Sequence, residues 1–257
     1  MNILLNTTQK QLVNDVVVYI CFDSIKPHMY ATVKTIKDWC KNNNYKFISL
    51  KVTESDRLSK TFNKYTAFRN FKESSHTHML WLDTDLIITN QTPCIFTELK
   101  YPKFAARIIP KHNLRDNIEE YLQFREFINL IDPSYSEQDV TAVTENYFNT
   151  GVILMSKDVC TVILEQIDTC YGKIKILNEI NQIDKPLVRE EFLTNYIIDK
   201  IGISITNLPK KWHSSIGHQD DYKTKISTHS DDDHIIHFDI TNKDELIWKY
   251  MYSEVER

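Results

Sequence analysis

The stretch His78-Met79-Leu80-Trp81-Leu82-Asp83-Thr84-Asp85-Leu86-Ile87-Ile88 leaves this chain few folds to choose from. A run of large apolar residues leads straight into two carboxylates one residue apart, and apolar residues resume at once. Apolar residues in unbroken series describe a strand buried on both faces, as at the centre of a parallel sheet. Such a strand does not tolerate Asp unless something offsets the cost of desolvating it. Residues i and i+2 of a strand point the same way, so Asp83 and Asp85 aim both carboxylates at one spot where the strand ends. Converging carboxylates repel unless a cation lies between them. A hard divalent metal with oxygen ligands suits that place. An isolated Asp-x-Asp is common by chance and also describes a turn with two solvated carboxylates. The rest of the chain has to decide.

The segments before it supply a context. Val16 to Phe22 is an apolar, β-branched run ending at Asp23, a first buried strand. Tyr30 to Lys41 places Val33, Ile36 and Cys40 on one helical stripe, and Asn42-Asn43-Asn44 breaks it. Phe47 to Val52 alternates as a second strand. Leu58, Phe62, Tyr65 and Phe68 then recur at helical spacing. This β-α-β-α-β order predicts parallel strands with right-handed crossovers, and an α/β fold with helices on both sheet faces. Ligands of such sheets bind beyond the carboxyl ends of the strands, where Asp23, Asp83 and Asp85 all lie.

Further along, Phe104 to Ile109 is an expected strand and Asn117 to Asn129 an amphipathic helix. Residues 130–146 look polar and irregular, a loop over a site. A short buried strand at Val152 to Met155 follows, and Asp158 is expected to cap a helix to Tyr171. Pro186 is placed to open a helix to about Lys200. Ile203 to Ile205 reads as a strand, Leu208 to His213 as a loop, His234 to Asp239 as a last short strand, and Lys243 to Tyr252 as the terminal helix. No repeat, linker or boundary divides the chain, so residues 1–257 are expected to form a single domain.

Composition excludes several function classes. The chain has four glycines, too scattered for a Gly-x-Gly-x-x-Gly or Walker-type phosphate loop. A nucleotide's phosphates would have to be met by a metal on carboxylates, helped by Lys or Arg. A net charge of −4 without a basic block argues against nucleic acid. Five scattered cysteines without a Cys-x-x-Cys pair argue for a reducing compartment. Neither a signal peptide nor a transmembrane run is visible, so a cytoplasmic location is expected.

Three separated segments carry a family resemblance. Leu80-Trp81-Leu82-Asp83-Thr84-Asp85 resembles the Leu-Tyr-Leu-Asp-x-Asp strand of metal-dependent GT-A-fold glycosyltransferases. Tyr147-Phe148-Asn149-Thr150-Gly151-Val152 resembles their Phe-Asn-(Ala/Ser)-Gly-Val segment. His237-Phe238-Asp239-Ile240-Thr241-Asn242-Lys243 resembles their C-terminal His-x-x-Gly-x-x-Lys. Order and spacing match best with family 8, the glycogenin and galactosyltransferase-like group, over roughly residues 15–250.

The resemblance implies a GT-A fold, a mixed but mostly parallel sheet, and a hexosyltransferase that takes its sugar from a nucleotide diphosphate sugar. A UDP-sugar is the implied donor, a hydroxyl of a glycan or protein the acceptor, and Mn²⁺ or Mg²⁺ the cation. Asp83, Asp85 and His237 would hold the metal, Asp83 would also touch the donor ribose, and Lys243 would hold the diphosphate. Asp23 would lie near the nucleobase. Lys64 would reach the donor, with Arg69 as the fallback. Asn149, Glu190 and Glu191 would face the reacting sugar. Glu190-Glu191 stands where the family has Asp-Gln, so retention and inversion both stay open. Ile240 replaces the motif's Gly. His237 also reads as a hydrogen-bonded half-buried histidine, Lys243 as a solvated helix residue, Asn149 as a turn stabiliser and Trp212 as core. One of the two glutamates is expected on solvated surface. Two other readings are an inactive carbohydrate-binding module and a sugar-1-phosphate nucleotidyltransferase. The latter wants a Gly-rich loop after the first strand, and Ile20 to Met29 has no Gly.

Overall fold

A computed structural model of the chain describes residues 15–52, 62–109, 118–181, 189–215, 232–238 and 243–255. Its core is a six-stranded sheet in the order β2-β1-β3-β6-β5-β7. The strands are β1 (Val16–Phe22), β2 (Lys46–Lys51), β3 (His78–Leu82), β5 (Phe104–Ile108), β6 (Phe148–Ser156) and β7 (Thr206–Asn207). β1 pairs in parallel with β2 and β3, as the βαβαβ pattern requires. β6 runs antiparallel to both β3 and β5, and β7 parallel to β5, which makes the sheet mixed.

The unbroken apolar runs have a simple cause. Val17, Tyr19, Met79, Trp81, Ile153 and Met155 face one cluster of buried side chains. Their neighbours Val16, Val18, Leu80, Leu82, Val152 and Leu154 face the other. Helices α2 (Asn63–Glu73), α4 (Ile118–Ile131), α6 (Lys157–Asn181) and α7 (Glu190–Lys200) contribute to the first face, α1 (Pro27–Asn43) and α3 (Ile95–Leu99) to the second. A strand covered on both sides has no solvent face on which to place polar residues.

A second, three-stranded sheet, β4-β9-β8, stands beyond the carboxyl end of β3. It consists of β4 (Leu86–Ile88), β8 (Ser214–Ser215) and β9 (Ile235–His237). The terminal helix α8 (Lys243–Val255) packs there against α1 through Leu246, Ile247 and Tyr250.

Several expectations need correction. Residues 130–146 do not form an irregular loop. Helix α4 runs to Ile131, and α5 (Glu137–Glu145) follows with a capping box. In that box the Asp139 N–H donates to Ser136 Oγ, and Ser136 N–H to Asp139 Oδ2 at 2.8 Å. Polar residues on α5 mark its solvated face, and Val140 and Val143 are buried. Ile203 to Ile205 is not a strand; the pairing residues are Thr206 and Asn207. Asp158 sits inside the first turn of α6 rather than capping it. Leu58 and Pro186 lie outside the described residues, and α7 starts at Glu190. All five cysteines are free thiols. Among the described residues no helix is long and apolar enough to cross a membrane.

Candidate active site

Asp83 and Asp85 lie in the link between β3 and β4, held by backbone bonds from two directions. The Asp83 N–H donates to Gly151 O at 2.9 Å, and the Phe238 N–H donates to Asp85 O at 2.8 Å. Trp81, two residues before Asp83, donates its indole N–H to Asp83 Oδ1 at 2.9 Å, the same-side placement that a strand period of two dictates. β9 runs antiparallel to β4 with His237 opposite Leu86, so its imidazole arrives beside the carboxylates. His237 Nε2 is 3.2 Å from Asp85 Oδ1 and 4.0 Å from Asp83 Oδ2. One ligand atom from each of the three residues lies within 4.8 Å of the others. Gly151 is what lets the ring in: a Cβ there would stand 2.6 Å from His237 Cε1 and 2.9 Å from Nδ1. Two carboxylates and one imidazole converging so closely form a donor set suited to a hard or borderline divalent cation.

A protein cation already answers these carboxylates. Lys243, the first residue of α8, pairs its ammonium with Asp85 Oδ2. The helix is pinned to α1 by its next residue: Asp244 Oδ1 accepts from the His28 N–H at 3.1 Å and meets His28 Nδ1 at 2.5 Å. Burial pushes the Asp85 carboxyl upward, but His237 and Lys243 more than offset this and hold it far below the usual carboxylate range.

A second charge cluster lies behind the first. Lys64, on the first turn of α2, is buried; it donates to Thr150 O at 2.8 Å and pairs with Glu190 Oε2 at 2.8 Å. Its ammonium is 3.9 Å from Asp83 Oδ1 and lies over the Trp81 ring. Burial alone lowers its pKa, but Glu190 and Asp83 outweigh that, so the ammonium is stabilised. Both glutamates turn inward, against the expectation that one would be solvated. Glu190 is 3% exposed and also accepts from Thr194 Oγ1 at 2.8 Å. Glu191 accepts from Tyr147 Oη at 2.7 Å. Side chains one residue apart differ by about 100° around a helix, yet at its first turn both still reach Thr150, whose hydroxyl donates to Glu190 Oε2 at 3.1 Å. Burial, followed by repulsion from Glu190, outweighs the Tyr147 hydrogen bond and pushes the Glu191 carboxyl up to about 7.

The other expected residues divide. Asp23 faces an open cleft of about 190 Å³ together with Lys64, Trp81, Asp83 and Asp85. Neither glutamate is among the described residues lining that cleft. Asn149 Oδ1 accepts the Gly151 N–H at 2.7 Å and so braces the turn before the glycine. Arg69 points away and pairs with Asp168 at 2.6 Å on the surface. Trp212 is fully buried core. Asp239 and Ile240 lie outside the described residues. Sequence reasoning missed Thr150, Tyr147 and His213. For Thr150 the signal was its place between Asn149 and Gly151. His213 Nε2 stands 3.0 Å from His237 Nδ1.

The mixed, helix-flanked sheet is that of the GT-A fold. A glycosyltransferase involved in glycosylation of the major capsid of PBCV-1 superposes with a TM-score of 0.56 at 12% identity, over 92% of this chain and 98% of that one. The galactosyltransferase LgtC, solved with donor and acceptor sugar analogues, superposes with a TM-score of 0.50 at 13% identity, over 93% and 95%. No family model matches the sequence, and no curated protein matches it. At such identities the likeness is one of fold.

Proposed function

We propose that this chain transfers a sugar from a nucleotide diphosphate donor, a UDP-sugar, to a hydroxyl acceptor with the help of a divalent cation. The observation that carries the reading is the meeting of Asp83, Asp85 and His237, with both carboxylates lining a cleft that Lys64 and Asp23 also line. The three ligands fit Mn²⁺ or Mg²⁺, which would supply positive charge against the leaving diphosphate. Lys243 would turn its ammonium from Asp85 to the diphosphate and add to that stabilisation. Asp23 would meet the nucleobase end of the donor. Lys64, fixed by Glu190 and Thr150, would present a charge to the donor without reorganising. Asn149 would act by holding the Gly151 turn. The whole chain would work as one domain.

The test is thermal stabilisation by a panel of nucleotide sugars with and without Mn²⁺, followed by donor hydrolysis without acceptor. A ligand that binds only the native state must raise its midpoint. Cation-dependent stabilisation together with hydrolysis is expected. Stabilisation by a free glycan without hydrolysis would instead mark a carbohydrate-binding module, and pyrophosphate release from a nucleoside triphosphate a nucleotidyltransferase.

A further inference from the structure

His213 is a buried polar residue whose presence the core does not explain. It ends the short 3-10 turn Lys210–Trp212 and precedes β8, whose Ser214 and Ser215 pair in parallel with Ile236 and His237. Backbone bonds fix it on both sides. Its N–H donates to Lys210 O at 3.0 Å, and the Arg107 guanidinium donates to its carbonyl. The side chain is fully buried. Nε2 lies 3.0 Å from His237 Nδ1, and Nδ1 finds no hydrogen-bond partner among the described residues. An apolar side chain of the same shape would avoid leaving a polar atom unsatisfied in the interior. Among the described residues, the one polar contact of this imidazole is the histidine beside the two aspartates.

We propose that His213 is a positioning residue that accepts the Nδ1 proton of His237 and so turns the Nε2 lone pair of His237 towards the cation between Asp83 and Asp85. An imidazole binds a metal through an unprotonated nitrogen, and the partner of its other nitrogen decides which one that is. A cation held by Asp83 and Asp85 would take the place of any proton on Nε2, which lies 3.2 Å from Asp85 Oδ1, and the ring's hydrogen would then sit on Nδ1, with His213 Nε2 as an acceptor 3.0 Å away. The ring of His237 is thereby held on two sides, with Gly151 leaving room on one and His213 bonding on the other.

The inference rests on the cation site proposed above, and the test separates the two. Binding of Mn²⁺ alone, followed by its EPR signal, is measured for wild type, His237→Ala, His213→Phe and His213→Gln. His213→Phe fills the volume without an acceptor, whereas His213→Gln keeps an acceptor oxygen near the Nε2 position. His213→Phe is expected to weaken Mn²⁺ binding about 10- to 100-fold, the range for losing the outer partner of a ligating histidine. His213→Gln is expected to recover most of that loss. Wild-type binding in His213→Phe, or equal loss in both variants, would overturn the role of His213 while the cation site stands on His237→Ala. Wild-type protein that binds no Mn²⁺ would overturn the site and this role together. If His213→Phe does not fold, long-range ¹H–¹⁵N spectra of histidine-labelled wild type with Mg²⁺ decide. A proton on His237 Nδ1 coupled across to His213 Nε2 is expected, and a proton on Nε2 would overturn the inference.

Discussion

The imidazole of His237 occupies the space in which residue 151 would carry a Cβ. The two would stand 2.6 Å apart at the nearest atom, closer than real side chains approach. Gly151 also sits opposite the carboxylates in the adjoining strand, accepting from the Asp83 N–H at 2.9 Å. Gly151→Ala should therefore displace the ring rather than unfold the sheet. Overpacking of this kind costs about 1–3 kcal/mol of stability. Mn²⁺ affinity should fall about tenfold or more, since a displaced ligand is at least as harmful as a lost outer partner. Calorimetric Mn²⁺ titration beside a thermal melt checks both, and unchanged affinity would remove His237 from the ligand set.

Lys243 stands in two roles that a single substitution separates. Without a donor its ammonium competes with any metal for Asp85 Oδ2. With a donor it is proposed to hold the diphosphate. Lys243→Met should then tighten the binding of Mn²⁺ alone and, in the same protein, cut turnover by about 10²-fold or more. Weaker Mn²⁺ binding in the variant would mean that Lys243 supports the site instead of competing for it.

Lys64 and Glu190 form a buried ion pair that is strong only while complete. Removing one partner leaves an uncompensated charge, a loss of about 3–5 kcal/mol for buried pairs. Lys64→Met should cost that much in urea denaturation. Adding Glu190→Gln to the same chain should restore part of it, because the orphaned carboxylate is gone, and contacting residues couple in such cycles. A purely additive double variant would show that the pair is solvated. An Asp85→Ala variant carries a related penalty. The structure answers Asp85 with His237 and Lys243, so its loss leaves both without that partner.

Most of the fold's first half was legible because β1 and β3 bury continuous apolar runs, α1 and α2 bury one side each, and β2 alternates as a partly buried strand, and the order of such segments restricts the topology. The convergence of Asp83, Asp85 and His237 was legible through strand periodicity for the two aspartates, and for His237 through the family resemblance alone. Residues whose role comes from long-range pairing were not. Nothing near Glu190 in sequence shows that Lys64, 126 positions earlier, lies 2.8 Å away. His213 does lie in a loop as read, but its place beside His237 was not visible, because it depends on β8, two residues long, and its register with β9. Helix α5 was misread because its acids and threonines resemble a loop, whereas Ser136 and Asp139 mark a capping box three residues apart.

Glu191 joins stability to stereochemistry. Its carboxyl is raised to about 7 in the folded protein, chiefly by burial and by Glu190, against an ordinary value near 4.5. A raised acid favours the protonated folded state. Its stabilising contribution is complete below pH about 4.5 and is lost as pH rises through about 7, at most about 3 kcal/mol over that interval. Glu191→Gln should flatten that part of the stability–pH curve, read from urea midpoints between pH 4 and 8. The same substitution tests catalysis. Near neutrality a protonated glutamate and a glutamine share shape and charge, and neither glutamate is among the described residues lining the cleft. Glu190 is moreover committed to Lys64. A base must come within hydrogen-bond reach of the acceptor hydroxyl, directly or through one water. The glutamates are therefore expected to hold Lys64 and Thr150 in place rather than take the proton. Glu191→Gln should keep donor binding, keep transfer within about tenfold of wild type, and leave the acidic limb of the pH–rate profile in place. The product should retain the donor's anomeric configuration, read from NMR coupling constants. An inverted product together with loss of transfer and of the acidic limb in Glu191→Gln would make Glu191 the general base of a single displacement.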